Sequence, residues 1–338
     1  MSMTPKERLM AAAAMQTLDR PPCICPGGMM NMMFRDIMEK TGCLWPEAHS
    51  DPEKMAGLAA GLYDAGGFEN YGVPFCMTVE AEAMGARVEM GDMLCEPHVV
   101  DSPLEKVADW PKLTQLKADA GRVPVVLAAL RRLKARGDGV PVIGNINGPI
   151  SVAGELVPME KLLPAMRKDP ESVHGLLGFV SDQLIAYGKL MLEAGADFIC
   201  LSEPSGTGEV VGPRYFREFS VPYINRVMDA LDTPVKMVHM CGRLQRVYEQ
   251  LPDIRSDVFS FDAVVPIAEV RKVLPQRALM GNVSTLALQE TSPEHVRSMV
   301  RYVRGQGINV VAPACGLPTV TPLPVIQAMV DAAKETME

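Results

Sequence analysis

The stretch Pro234-Val-Lys-Met-Val-His-Met-Cys-Gly242 reads as a short buried strand that runs into a His and a Cys two residues apart and is then broken by glycine. Side chains at i and i+2 of a strand share a face. His239 and Cys241 are therefore expected to converge at the strand's C-terminal end. The stretch Val310-Val-Ala-Pro-Ala-Cys-Gly-Leu-Pro318 has the same form: an apolar run, Cys315, then glycine. Imidazole and thiolates together suit a borderline-soft cation such as zinc. The three residues predict a zinc site built from the ends of different parallel strands.

Working outward, further strands are expected in the extended segment from Pro21 to Pro26 and at residues 68–75, 141–146, 196–201, 258–262, 278–283 and 309–312. Helices are expected at 5–19, 29–40, 121–136, 151–166, 170–194, 213–231, 244–250, 266–273, 293–306 and 324–335. Another runs to Ala65, with Asp51 as its cap and Pro52 in its first turn. Residues 88–100 suggest a hairpin around Gly91-Asp92. The strands are short, apolar and mostly non-alternating, as in a parallel sheet buried on both faces. About eight β-α units in one chain predict an α/β fold, a (β/α)8 TIM barrel. It is expected to form one domain over residues 1–338, with an N-terminal helical extension. An open doubly wound sheet competes, but no Gly-rich dinucleotide fingerprint follows an early strand.

The 338 residues, 48% hydrophobic, suffice for a large core, and a net charge of −8 without a basic tract excludes general nucleic-acid affinity. Eight cysteines are too sparse for a disulfide scaffold and point to a reducing, cytoplasmic setting. The apolar run Leu9–Met15 is short and lacks a cleavage pattern, so it is expected to be helical and not a signal peptide. No apolar run is long enough to span a bilayer. Methionine is abundant, at 24 residues, and densest in Met29-Met-Asn-Met-Met33. That cluster suits either a core-packed helix start or a pocket wall.

In a barrel, chemistry sits at the C-terminal ends of the strands. His239, Cys241 and Cys315 fall there, with Asp262, Asn282, Asn145, Ser202 and Glu203. Alone, each His or Cys is more often a core residue. The convergence of three, with a glycine after each Cys, favours a metal. Three protein ligands leave one position open, which Asp262 could occupy. Cys23 and Cys25 form another same-face pair; with no accompanying His, pocket lining suits them better than ligation. Glu80 and Glu82 follow an early strand, where one can face the site or both can be solvated. The expected substrate and corrinoid pocket comprises Cys25, Met29, Asn31, Glu80, Asn145, Glu203 and Asn282. No catalytic residue is expected beyond the metal site.

Four motifs, in order, resemble the uroporphyrinogen decarboxylase superfamily. They are Pro22-Cys-Ile-Cys-Pro-Gly-Gly-Met-Met-Asn31, Gly72-Val-Pro-Phe-Cys-Met-Thr-Val-Glu-Ala-Glu-Ala-Met-Gly85, His239-Met-Cys-Gly242 and Ala314-Cys-Gly316. Within that superfamily they look like the corrinoid-dependent methyltransferase branch, whose best-known members are methylcobalamin:coenzyme M methyltransferases. The resemblance runs nearly end to end. It implies a (β/α)8 barrel and zinc held by His239, Cys241 and Cys315, with Asp262 on the following strand completing the shell. It also implies a corrinoid, as methylcobalamin carried on a partner corrinoid protein, and a small-molecule methyl donor or acceptor; it allows a homodimer. The direction of transfer stays open between methylation of a thiol and removal of a methyl group from a methoxylated or methylated substrate.

The alternative is a metal-independent decarboxylase of a tetrapyrrole or related carboxylic acid. The decarboxylases carry an Arg-rich motif after the first strand and an early Asp. Here Cys-Ile-Cys-Pro-Gly-Gly stands in the first place, with no arginine until Arg35, and Glu69-Asn70-Tyr71 in the second. A non-catalytic corrinoid-binding or zinc-storage protein is a further class, which turnover would exclude. A zinc hydrolase would more often use His and carboxylate ligands.

Overall fold

The computed structural model describes residues 3–335. Its centre is a parallel sheet of seven strands, in the order β1 (Tyr71–Val73), β4 (Val142–Asn147), β5 (Phe198–Ser202), β6 (Lys236–Met240), β7 (Val258–Phe261), β8 (Ala278–Val283) and β9 (Val310–Pro313). All but the outer end of β6 is buried, as a sheet covered by helices requires.

Residues 22–25 close the sheet into a barrel. On one side Cys23 pairs in parallel with Val311, with Ile24 N–H donating to the Val311 carbonyl and Val311 N–H to that of Pro22, each at 3.0 Å. On the other side Glu69 N–H donates to the Cys23 carbonyl at 2.9 Å. Side chains complete this seam. Asn70 Oδ1 accepts from Cys25 N–H at 2.9 Å, its Nδ2 donates to the Cys25 carbonyl at 2.7 Å, and Glu69 Oε2 accepts from Cys23 N–H at 2.9 Å. Proline at 22 and 26 removes two ladder donors, so a side-chain amide substitutes for backbone here.

Helices cover the sheet, among them Pro52–Asp64, whose cap Asp51 accepts from Glu53 N–H at 2.8 Å and Lys54 N–H at 3.1 Å. The N-terminal helix Pro5–Ala13 is anchored by Lys6 Nζ, which donates to the buried Asp197 at 2.6 Å. Between β1 and β4 a hairpin of β2 (Arg87–Glu89) and β3 (His98–Asp101) stands out from the sheet, as expected, and reaches the loop after β9 where Thr319 Oγ1 donates to the Leu94 carbonyl at 3.3 Å. Among the described residues, no helix is long and apolar enough to cross a membrane.

Several expectations are corrected. The helix expected at 29–40 spans only Arg35–Thr41. Before it, Asn31 bonds its own neighbourhood: Oδ1 accepts from Met33 N–H at 2.9 Å and Nδ2 donates to the Met33 carbonyl at 2.8 Å. Such local side-chain bonds compete with helix formation. Met30, Met32 and Met33 are fully buried, and only Met29 remains partly open. The helix expected at 244–250 is replaced by 3-10 turns, Gln245–Val247 and Leu251–Asp253; Pro252 leaves little room for an α-helix before it. The one expected at 151–166 is two, Pro149–Leu156 and Met159–Lys168, separated by Val157-Pro158. The helix at 213–231 carries a π turn, Phe216–Ser220, just before Pro222. A short helix, Thr285–Glu290, was not expected. The N-terminal helix ends at Ala13, and Met15 follows at φ 53.

Candidate metal centre

His239 lies in β6, and Cys241 is the first residue beyond the strand. Their shared face brings Nε2 and Sγ to 3.1 Å. Cys315, two residues past β9, closes the group with its Sγ 3.2 Å from Cys241 Sγ. One ligand atom from each of the three lies within 4.8 Å of the others. A tetrahedral centre with bonds of about 2.0–2.3 Å spaces its ligands about 3.6–3.8 Å apart, so small side-chain adjustments would admit an ion. One nitrogen and two sulfurs form a borderline-soft donor set, which fits zinc with a position left open.

The glycine after each cysteine has a separate steric reason. Gly242 sits at φ +72, and a Cβ there would lie 2.7 Å from Glu209 Oε2. Gly316 packs so closely that a Cβ would meet the Met29 carbonyl oxygen at 2.7 Å and Asn31 N at 3.0 Å. Both turns therefore bring a thiol to the mouth only if the next residue has no side chain.

The two thiols perturb one another. The hydrogen bond between them lowers the Cys315 pKa and raises that of Cys241. Burial opposes ionisation of Cys315, but a hydrogen bond and charge from His239 and the Gly316 N–H favour its thiolate. A thiolate already favoured within the cluster is what a cation requires.

Ser260, which sequence reasoning did not single out, holds the imidazole from behind. Strand register pairs it with His239, and its Oγ lies 2.9 Å from Nδ1. With Nε2 toward the thiols, Nδ1–H donates to Ser260, fixing the ring and its tautomer. The signal was a lone hydroxyl inside the apolar strand Val258–Phe261.

Asp262 is not brought into the cluster. Its Oδ2 accepts from Gly242 N–H and its Oδ1 from Val264 N–H, each at 3.1 Å, so the carboxylate pins the turn after Cys241. The expected pocket residues are mostly committed to the chain itself. Glu203 accepts from the N–H groups of Ile150, Ser151 and Gly206 and from Ser151 Oγ. Burial raises its pKa, against those bonds. Asn145 Nδ2 donates to the carbonyls of Pro26 at 2.7 Å and Val73 at 3.1 Å. Asn282 Nδ2 donates to those of Asp262 at 3.1 Å and Val265 at 3.0 Å. Glu80 accepts from Asn147 N–H at 2.8 Å and Nδ2 at 3.0 Å. Asn31 Nδ2 also donates to the Leu317 carbonyl at 3.2 Å, and the buried Cys25 Sγ to that of Met30 at 3.2 Å. Met29 is the member of the set at the mouth, with Sδ 4.0 Å from Cys241 Sγ. Ser202 Oγ is buried and has no hydrogen-bond partner among the described residues.

Residues 4–336 match the model of the uroporphyrinogen decarboxylase (URO-D) family. A methylcobamide:CoM methyltransferase MtbA of Methanosarcina acetivorans is 33% identical over 98% of each chain. A methylcobamide:CoM methyltransferase MtaA of Methanosarcina barkeri is 31% identical over the same shares. Among solved structures, a methyltransferase from Methanosarcina mazei superposes with a TM-score of 0.91 at 28% identity, covering 98% of both chains.

Proposed function

The chain belongs to the uroporphyrinogen decarboxylase family, and from that premise we propose that it is a zinc-dependent, corrinoid-dependent methyltransferase. It moves a methyl group between a methylcobamide, carried on a partner corrinoid protein, and a small thiol or other heteroatom substrate. The observation that carries this reading is the convergence of His239 Nε2, Cys241 Sγ and Cys315 Sγ at the barrel mouth. The relatives named as methylcobamide:CoM methyltransferases support the reaction class.

His239, Cys241 and Cys315 would hold the zinc. Bound there, zinc would lower the pKa of a substrate thiol so that its sulfur is nucleophilic at neutral pH. The chain's own residues set the stage. Ser260 orients His239, Asp262 fixes the turn that presents Cys241, and Met29 narrows the opening beside Cys241. In the thiol direction, sulfur attacks the methyl carbon. The transfer would form the C–S bond and break the bond between the methyl carbon and the corrinoid, which would keep the electron pair, while the thiol proton would leave to solvent. Orientation of sulfur and methyl carbon in line is the main contribution a preformed mouth can make.

With eight free cysteines, the enzyme suits a reducing compartment such as the cytoplasm. Decarboxylation is the weaker reading. The seam where a decarboxylase would need Arg and Asp instead carries Asn70 bonded to Cys25 and Glu69 bonded to Cys23 and paired with Arg20 at 2.7 Å. The test is metal content with turnover. Wild type should hold about one zinc per chain and methylate a thiol from methylcobalamin. Cys241→Ala, Cys315→Ala and His239→Ala should lose zinc and turnover while keeping the native circular dichroism spectrum. A wild type that binds no zinc refutes the reading.

A further inference from the structure

Cys241 Sγ and Cys315 Sγ lie 3.2 Å apart. Two thiolates on one tetrahedral zinc stand farther apart, at about 3.8 Å. A disulfide bond needs about 2.05 Å, so the pair has about 1.2 Å to close. Both residues lie past the ends of their strands, and both are half-buried, so a small reagent at the mouth can reach them. Of the eight free cysteines, these two alone share a hydrogen bond between sulfurs among the described residues. The others are placed differently. Cys23, Cys25 and Cys200 are fully buried, and Cys76 is 1% exposed. Cys43 and Cys95 can be reached, but their thiols donate to the carbonyls of Thr41 at 3.8 Å and Glu96 at 3.7 Å. An oxidant that attacks either of these two finds no second sulfur to complete the exchange.

We propose that Cys241 and Cys315 form a redox modification site: a small-molecule disulfide, the oxidised form of the thiol class assigned to the mouth, converts them to a Cys241–Cys315 disulfide that cannot hold zinc. The choice of oxidant rests on the methyltransferase reading; the sulfur pair does not. In the first step one cysteine sulfur attacks the small disulfide, and a mixed disulfide forms. The old S–S bond breaks, and one small thiol leaves with that cysteine's proton. The neighbouring cysteine then attacks the sulfur just modified. The protein disulfide forms, and the second small thiol leaves with the second proton. Two electrons have passed from the cysteines to the reagent. The second step is intramolecular between partners already in place. Asp262 accepts from Gly242 N–H at 3.1 Å and Glu209 from Arg243 N–H at 2.9 Å, so the turn keeps Cys241 beside Cys315. The disulfide removes two of three ligands and leaves His239 alone. Bound zinc in turn ties up both sulfurs, so metal and disulfide exclude each other. Excess small thiol reverses the exchange. The site is therefore open while that thiol is reduced and closed once it is oxidised.

The test uses the full-length chain in two portions, zinc-loaded and chelator-stripped, each treated with bis(2-hydroxyethyl) disulfide in the absence of oxygen. Remaining thiols are alkylated, the chain is digested without reduction, and the peptides are identified by mass spectrometry. The stripped portion should yield the Cys241 peptide linked to the Cys315 peptide. It should then take up no zinc until 2-mercaptoethanol is added. With free zinc at about ten times its dissociation constant, the linked peptide should form about tenfold more slowly or less. In Cys315→Ser, shown to be folded by circular dichroism, Cys241 should stop at the 2-hydroxyethyl mixed disulfide. Absence of the linked peptide from the stripped chain overturns the proposal. So does equal formation in the zinc-loaded chain, or an oxidised chain that still takes up about one zinc. If the reduced chain takes up no zinc and methylates no thiol, the methyltransferase reading fails; the linked peptide, present or absent, still decides whether the pair is a modification site.

Discussion

Replacing Ser260 with alanine should loosen metal binding without unfolding the barrel. The side chain is fully buried, pairs in register with His239 and places Oγ 2.9 Å from Nδ1. The imidazole is also fully buried, so no water would replace the lost acceptor. An unsatisfied buried donor costs about 1–3 kcal/mol. Part of that falls on both metal-free and metal-bound states and cancels in affinity. What survives is the loss of ring orientation and of the tautomer that turns the Nε2 lone pair to the metal. Outer-sphere partners of this type are worth about 10–100-fold in affinity, or about 1.4–2.7 kcal/mol. The assay is competition for zinc against a chromophoric chelator at fixed pH, with circular dichroism and thermal melts on the same samples. Affinity within about threefold of wild type in a folded variant would show that the Nδ1 contact does not orient His239, and would refute the reasoning.

Gly242→Ala should lower the melting temperature and weaken zinc binding, because a non-glycine residue at φ +72 costs about 1–2 kcal/mol and its Cβ would lie 2.7 Å from Glu209 Oε2; a variant matching wild type in both would contradict that turn. Asp262→Asn should keep one zinc per chain by elemental analysis, since both carboxylate oxygens accept backbone N–H groups; loss of the metal would make Asp262 a ligand. Burial raises the Glu80 carboxyl from 4.5 to about 7, against hydrogen bonds from Asn147. Between those values the folded state holds the proton and the unfolded state does not, so stability falls as pH rises through the window, by about 3 kcal/mol for this group. Denaturant unfolding of Glu80→Gln at pH 5 and pH 7.5 should show a smaller fall than wild type; equal falls would assign the effect to other groups.

The barrel was legible in sequence because its signal is repeated. Each apolar run ends at a glycine or polar residue and is followed by a helical stretch, and errors in single elements do not disturb the rhythm. Elements with a local competitor were not legible. Residues 29–34 have the methionine content of a helix, yet Asn31 bonds Met33 and Leu317 instead. Pro158 split a helix that periodicity alone would have continued, and the stretch before Pro252 forms 3-10 turns in place of the expected α-helix. The first strand was recognised as extended, but its seam depends on the side chains of Glu69 and Asn70, which no backbone propensity encodes.

At the site, period-two geometry placed His239 and Cys241 together, and the repeated Cys-Gly brought in Cys315. Polar residues at strand ends were harder to read, because residues facing a ligand and residues tying loops have the same composition and position. The structure separates them by following each hydrogen bond. Asn282 donates to the Asp262 and Val265 carbonyls, Asp262 accepts from Gly242 N–H, and Glu209 Oε2 accepts from Arg243 N–H at 2.9 Å. Two side chains, from the end of β7 and the loop after β5, therefore hold the turn that presents Cys241, and Asn282 of β8 ties down the backbone of Asp262, one of the two. A thiolate fixed this way loses little further freedom when a metal binds, so less of the binding energy is spent on ordering it. Polar groups turned away from the mouth thus act on the chemistry by restricting where the cysteine can be, and that restriction is strongest beside the glycine whose backbone only that residue adopts without strain.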